Sequence, residues 1–479
     1  MNPQVHQQEW QQSQTIAENL LPKIAQLYRQ KGVELLMFGK TLVNAGTIDI
    51  IKLTHLSQRY TQSNLTLQQV EPLIKQLCQL PLSPCYIDIG KLTQQYVQHH
   101  SHTDSPSHFL ASALSDALSG QTIAEPKNVV LYGFGRIGRL LTRLLVEKSG
   151  PGYPLRLRAI VVRGGKEGDL EKRANLLRRD SVHGQFNGSI IIDKENNALI
   201  VNGNYIQFIY ANSPQEVNYT DYNIKDALVV DNTGVWRDTD GLGQHLECSG
   251  TSKVLLTAPG KGEIKNIVFG VNHQDIEVTD SIISAASCTT NAITPVLKAM
   301  NDKYGITSGH IETVHSYTND QNLIDNFHSG ERRGRSASLN MVLTSTGAAK
   351  AVSKALPELA NKLTGNAIRV PTPNVSMAVA NLNLENAAEK EELNHYLQQM
   401  AFNSALSPQI DYTQSTEIVS TDIVGSRYPG VIDGAATIAQ DNRCVLYIWY
   451  DNEFGYSCQV VHCMEHMMGV RFKTYPSLG

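Results

Sequence analysis

The chain has 479 residues, 41% hydrophobic and 18% charged, with a formal net charge of -4. That composition supports two or three packed domains and excludes a basic nucleic-acid binder; no apolar run is long enough to span a bilayer. Met1 to Gln14 is polar and Gln-rich, unlike a secretory signal, and the seven cysteines form neither a CxxC pair nor a metal cadence. Reduced thiols, a cytoplasmic location and no bound metal are therefore expected.

From residue 1 to 126 the pattern is helical. Ile16, Leu20, Ile24 and Leu27 recur at three to four residue spacing, and Thr66 followed by Gln69 before Val70, Leu73, Ile74 and Leu77 is a capping box. His99, His100, His102 and His108 lie in a tract of linker composition without regular ligand spacing, so solvated histidines are the simpler reading.

At Lys127 the texture changes to short apolar runs alternating with helical patterns, the mark of a parallel sheet flanked by helices. Strands are expected at 129–132, 157–163, 227–231 and 253–257, with helices at 136–147 and 169–179. After residue 287 the chain reads as mixed α+β, with strand-like runs near 310–315, 369–384 and 444–449. A last helix near 456–470 is expected to return to the first sheet. The predicted class is α/β: a helical N-terminal region (1–126), a Rossmann-type parallel-sheet nucleotide domain (127–287), an α+β catalytic domain (288–454) and a C-terminal helix (455–479).

Gly133-Phe134-Gly135-Arg136-Ile137-Gly138 matches G-x-G-x-x-G after a predicted strand and before a predicted helix. The first glycine permits the tight turn, the second lets backbone approach a pyrophosphate, and the third lets helix pack on strand. A tight turn without ligand is the alternative. The acidic residue expected at the end of the second strand is missing, because the chain reads Val162-Arg163-Gly164-Gly165-Lys166. Arg163 and Lys166 suit a 2'-phosphate, which favours NADP or dual use over strict NAD dependence; solvated loop charges are the alternative.

Ser287-Cys288-Thr289-Thr290-Asn291 follows a short apolar run, 282–286, and precedes an amphipathic helix with Pro295 expected in its first turn. A thiol at such a junction meets unpaired backbone N–H groups that favour the thiolate, so Cys288 is a candidate nucleophile. A buried structural cysteine is the other reading of that residue alone.

Together these elements resemble the phosphorylating glyceraldehyde-3-phosphate dehydrogenases over about residues 127 to 475. The likeness rests on 133–139, Asp180-Ser181-Val182-His183-Gly184, 286–291, 344–350, Ile368-Arg369-Val370-Pro371 and Trp449-Tyr450-Asp451-Asn452-Glu453. It implies that Cys288 is the nucleophile and His315 its base. It further implies that Thr318, Asp320 and Arg369 hold the phosphate of glyceraldehyde 3-phosphate. Ser287, Thr289, Thr346, Gly347 and Arg333 would hold the attacking inorganic phosphate. NAD or NADP would contact Thr233, Thr257, Asn319, Asn452 and Tyr456 in addition to the glycine turn and Arg163. Phe454 stands where the family usually has tryptophan. Asn326-Phe327 stands where strictly NAD-dependent members carry Leu-Pro, which again points to NADP.

A homotetramer is implied, with the loop 317–339 approaching a neighbour's cofactor. The related erythrose-4-phosphate dehydrogenases share the nucleophile but usually lack the run seen here at 346–350. A regulatory protein on an inherited dehydrogenase fold is a further alternative, and residues 1–126 are open to an unknown partner.

Overall fold

The computed structural model describes residues 3–56, 64–99, 105–118, 125–150, 152–165 and 167–477. His100, His102 and Lys166 lie outside them. Among the described residues, no helix is long and apolar enough to cross a membrane, and no group of three His, Cys, Asp or Glu side chains could hold a metal.

The N-terminal region carries the expected helices. Helix α1 (Pro3–Lys31) buries Leu20, Ile24 and Leu27 along one stripe. Strands β1 (Val33–Met37) and β2 (Lys40–Thr41) precede α2 (Thr47–Thr54) and α3 (Leu67–Leu77). The Thr66 backbone N–H donates to Gln69 Oε1 at 2.9 Å, closing the capping box that starts α3. Strand β3 (Cys85–Asp88), α4 (Ile89–His99) and α5 (Pro106–Ala113) complete the region.

The region is thus more than helical. Strands β1 and β3 pair in parallel, β2 flanks β1, and the terminal strand Thr474–Tyr475 pairs in parallel with β3. Strands of two to five residues leave too short a pattern to stand out from helical periodicity, and their partners are remote in sequence. The last residues of the chain are therefore bound into the first domain's sheet, and Tyr475 packs in its core.

Next come β4 (Lys127–Tyr132), α6 (Arg136–Glu147), β5 (Leu155–Val162), α7 (Asp169–Arg178) and the short pair β6 (Arg179–Asp180) and β7 (Gly184–Gln185). Strands β8 (Ile190–Asp193), β9 (Ala198–Val201), β10 (Asn204–Tyr210) and β11 (Ala227–Asp231) follow. Helix α8 (Thr239–Leu246), β12 (Thr251–Leu256) and β13 (Ile282–Ser284) close the unit. The eight-stranded sheet runs β13-β12-β11-β4-β5-β10-β9-β8, parallel except at the β10-β9-β8 edge. Its chain order reverses at β4, between β5 and β11, where doubly wound sheets bind dinucleotides.

Helix α9 (Cys288–Tyr304) leads into β14 (Ile306–Ser316), β15 (Val342–Thr344), α10 (Ala348–Ala355), β16 (Leu363–Val370) and β17 (Ser376–Leu384). Helix α11 (Lys390–Asn403) and strands β18 (Ile410–Thr413), β19 (Gly430–Asp433), β20 (Ile438–Gln440) and β21 (Arg443–Tyr450) complete a second sheet, ordered β15-β16-β14-β17-β21-β19-β18. Pro295 sits two turns inside α9 and not in its first turn, because the helix already begins at Cys288. Helix α12 (Phe454–Met467) then packs on α6, and its Val460 and Met464 join the core formed by Val129 and Leu141.

Candidate active site

The turn leading into Cys288 is held in a costly shape. Ala286 has φ +54°, a left-handed conformation that costs a non-glycine residue about 1 kcal/mol or more. Its carbonyl accepts from the Tyr456 hydroxyl at 3.1 Å, which braces the turn from α12. Ser287 caps α9, its Oγ accepting from the Thr290 N–H at 3.1 Å, so Cys288 is the first helical residue.

Cys288 Sγ lies 3.7 Å from His315 Nε2. Burial pushes the thiol above its ordinary pKa, and the opposing pull of Arg369 is smaller. The helix start alone therefore does not produce a thiolate here. His315 is 6% exposed; burial, then the charge of Arg369, lowers its pKa to about 3. Thiol and imidazole are both neutral near pH 7, so the pair is poised for proton transfer during attack and not for a standing ion pair.

His315 and Arg369 are opposite each other in the parallel register of β14 and β16. His315 Nδ1 lies 2.7 Å from the Ser316 carbonyl oxygen and 2.6 Å from Arg369 Nη1, which itself donates to that carbonyl at 2.9 Å. The carbonyl only accepts and the guanidinium only donates, so they favour opposite tautomers. A proton on Nδ1 directed to Ser316 leaves the Nε2 lone pair facing the thiol.

Around this pair, Arg333 Nη1 donates to Asp320 Oδ2 at 2.7 Å, and its Nε and Nη2 reach Thr344 Oγ1 at 3.3 and 3.2 Å. Thr318 Oγ1 donates to Asp320 Oδ1, so Thr318, Asp320 and Arg333 form one connected group. Gly347 caps α10, and a Cβ there would meet nothing within 4 Å. Thr346 Oγ1 accepts from the Ala348 N–H at 3.2 Å. Thr289 is buried and its hydroxyl bonds Tyr450 Oη at 2.9 Å, so its side chain faces the core.

The glycine turn has the expected division of labour. Gly133 has φ +102°, and a Cβ on Gly138 would lie 2.4 Å from the Gly133 carbonyl oxygen. A Cβ on Gly135 would meet nothing, which leaves open space where a pyrophosphate fits at the start of α6. Thr233 approaches this turn, its Cγ2 3.1 Å from the Cβ position of Gly133, and Thr257 Oγ1 donates to the Asp231 carbonyl at 3.0 Å. Phe134 is buried edge-on against Phe208, and Ile137 packs on the sheet core. Asn319 and Arg163 are exposed. Asn452 Oδ1 accepts from Ser316 Oγ at 3.0 Å and Ser376 Oγ at 2.9 Å, which orients its amide.

Contrary to the expectation for Val162 to Lys166, the end of the second strand is not without an acidic neighbour. A carboxylate does stand beside Gly165: a Cβ on that glycine would lie 2.2 Å from Asp169 Cγ. It comes from the start of α7, four residues on, and is bound by Arg173 Nε at 2.5 Å.

Sequence reasoning assigned no role to 180–184, yet these residues join the two halves of the site. Arg136, in the glycine turn, binds both Glu453 and Asp180. His183 Nε2 lies 3.1 Å from Asp451 Oδ2 and 3.3 Å from Asn374 Nδ2. The residues on each side of Asn452 are therefore clamped to the nucleotide domain. Asp180 opposes the cost of burial with N–H bonds from His183 and Val182 and the charge of Arg136, and its pKa falls to about 2. Its signal was the short motif itself, which names no partner.

A dinucleotide-type sheet opening onto a closely paired cysteine and histidine is the architecture of a nicotinamide-dependent oxidoreductase. Residues 127–239 match the model described as "Glyceraldehyde 3-phosphate dehydrogenase, NAD binding domain", and residues 287–452 the corresponding "C-terminal domain". The glyceraldehyde-3-phosphate dehydrogenase-like protein of Pseudomonas aeruginosa (strain UCBPP-PA14) is 59% identical over 462 residues, covering 95% of this chain and 100% of that protein. Glyceraldehyde-3-phosphate dehydrogenase 2 of Bacillus subtilis (strain 168) is 38% identical over 341 residues, 71% of this chain and 96% of its own. The chloroplastic dehydrogenase A of Zea mays is 40% identical over 334 residues, 70% of this chain and 80% of its own. The chain belongs to the glyceraldehyde-3-phosphate dehydrogenase family. The Pseudomonas relative also spans most of residues 1–126, as its coverage requires.

Proposed function

We propose that the protein oxidises D-glyceraldehyde 3-phosphate, with inorganic phosphate, to 1,3-bisphosphoglycerate. The observation that carries this reading is the 3.7 Å approach of Cys288 Sγ to His315 Nε2 beside Arg369. Neutral His315 takes the thiol proton as sulfur attacks the aldehyde carbon, then donates to the oxyanion that attack creates. The Cys288 backbone N–H, in a first helical turn where such groups lack intrahelical acceptors, is a second donor. A bound nicotinamide would supply the hydride acceptor that turns the thiohemiacetal on Cys288 into a thioester.

Arg369 and Thr318 are assigned to the substrate's phosphate, with Asp320 acting through Arg333. Ser287, Thr346, Gly347 and Arg333 are assigned to the attacking phosphate, with Thr289 contributing backbone. Planar guanidinium groups suit both sites because each meets two phosphate oxygens at once. The open face of Gly135, with Thr233, Thr257 and Asn452, would hold the dinucleotide; Tyr456 supports the nucleophile turn behind it.

Both NAD and NADP are proposed as acceptors. Exposed Arg163 favours a 2'-phosphate, and the Asp169 charge is already countered by Arg173. A cytoplasmic homotetramer is also proposed. Leu323, Phe327, Leu339 and Met341 are 76 to 91% exposed on the loop after β14, an apolar surface suited to a neighbouring copy.

Initial rates with glyceraldehyde 3-phosphate, with and without phosphate and with each dinucleotide, test the reading. Strict phosphate dependence is expected. Turnover that ignores phosphate, or a preference for erythrose 4-phosphate, would overturn it.

A further inference from the structure

A cavity of about 600 Å³ opens where the N-terminal sheet meets the rest of the chain. One wall is the β1–β2 hairpin, β3 and the start of α4; the others are the end of α6, the segments 405–408 and 425–428, and α12 with the tail beyond it. Without residues 1–126 it would be an open face. Five cations from five separate elements line it: Lys40, Lys91, Lys148, Arg427 and Arg471.

Three carboxylates, Glu34, Asp88 and Glu465, also line the cavity, and four of the cations have acidic partners. Lys148 Nζ is 3.1 Å from Glu34, Lys40 Nζ 2.9 Å from Asp411, Arg427 Nη2 2.6 Å from Glu147, and Arg471 Nη1 3.9 Å from Glu465. In three of these pairs the carboxylate is the deeper member: Glu34 is 5% exposed against 20% for Lys148, Glu465 2% against 26% for Arg471, and Asp411 18% against 30% for Lys40. Asp88 is filled by three backbone N–H donors, from Phe38, Gly39 and Lys91. Lys91 meets no carboxylate within 4 Å among the described residues, and its ammonium donates to the Phe402 carbonyl.

The more exposed polar groups of the wall are therefore mainly donors, while the carboxylates that line it, Glu34, Asp88 and Glu465, are more deeply set. An ammonium has three N–H groups and a guanidinium five, more than these partners take up. The volume suits a small organic molecule. We propose that this cavity binds a small phosphorylated metabolite whose phosphate oxygens accept from these cations, and that the N-terminal region exists in part to close the site.

Calorimetry on the full-length chain tests this with inorganic pyrophosphate as the probe. Arg333→Met with Arg369→Met removes the active-site phosphate positions, and saturating NAD fills the dinucleotide site. One equivalent of pyrophosphate is expected to bind. Affinity should fall at least tenfold when Lys40→Met and Arg471→Met are added, and also when Lys91→Met is added alone as a second, near-isosteric variant. No binding, binding unchanged by both variants, or sulfate binding as tightly as pyrophosphate would each overturn the assignment. The outcome does not depend on turnover, so it is separable from the catalytic reading.

Discussion

Arg369 Nη1 lies 2.6 Å from His315 Nδ1, placing a permanent cation against the imidazole that faces Cys288. Burial is the first cause of that imidazole's lowered pKa and Arg369 the second. Arg369→Met should move the His315 titration upward from about 3 while leaving it below the ordinary value, read by NMR of the imidazole protons. If Arg369 also holds substrate phosphate, kcat/KM should fall about 10- to 100-fold, as for loss of a charged hydrogen bond worth about 1.5–3 kcal/mol. An unmoved titration would show that the contact carries no electrostatic weight.

The raised pKa of Cys288 implies a thiol at rest. Alkylation by iodoacetamide in the free protein should keep accelerating above pH 9, without the plateau near neutrality that a low-pKa thiolate gives. Cys288→Ser should abolish acyl-enzyme formation, followed by mass spectrometry, while dinucleotide binding persists.

Acid should destabilise the fold in a defined window. His315 and His273 have folded pKa values of about 3 and about 4, both lowered first by burial, against about 6.5 when unfolded. The unfolded chain then binds more protons, so their contribution is fully present above pH 6.5 and is lost as pH falls toward the folded values. His273 Nδ1 accepts from the Gly270 N–H at 3.1 Å, a bond an asparagine oxygen can replace. His273→Asn should flatten the decline of urea midpoints between pH 6.5 and pH 4; an equally steep decline would exclude His273 from it.

His183 bridges the nucleotide domain to the residue before Asn452. His183→Ala should leave Asp451 short of a partner and raise the dinucleotide KM about tenfold or more, with a smaller change in kcat. His183→Gln, which keeps a donor, should recover part of that loss. Equal falls in kcat and in thermal stability for both variants would mark the bridge as purely structural.

Gly165 and Asp169 should be energetically coupled. Gly165→Ala drives a Cβ into the Asp169 carboxyl and should cost about 1–3 kcal/mol, as overpacking does. Asp169→Ala should remove most of that penalty, and a double-mutant cycle by urea denaturation measures the difference. Strict additivity would mean that the two side chains do not compete for the same space.

Much of the fold was legible because it rests on local rules. The Gly133 turn, the helix Arg136–Glu147 and the capped start of α3 follow from backbone sterics and side-chain period, which operate within a few residues. The parallel sheet followed from alternating runs of strand and helix, and the family motifs marked Cys288 and His315 before any distance was known. The β1–β3 sheet escaped notice because its strands are short and its fourth member comes from Thr474–Tyr475, at the far end of the chain.

The sequence alone therefore determined the class of fold and marked Cys288 and His315 as the candidate nucleophile and base. Tertiary structure decided their charge states, since burial and the Arg369 guanidinium act through space. It also decided that Asp169 fills the place beside Gly165, that His183 and Arg136 clamp the segment around Asn452, and that the N-terminal region encloses a cation-lined cavity. Desolvation and pairing between remote residues arise only when the chain is folded, and no local pattern records them.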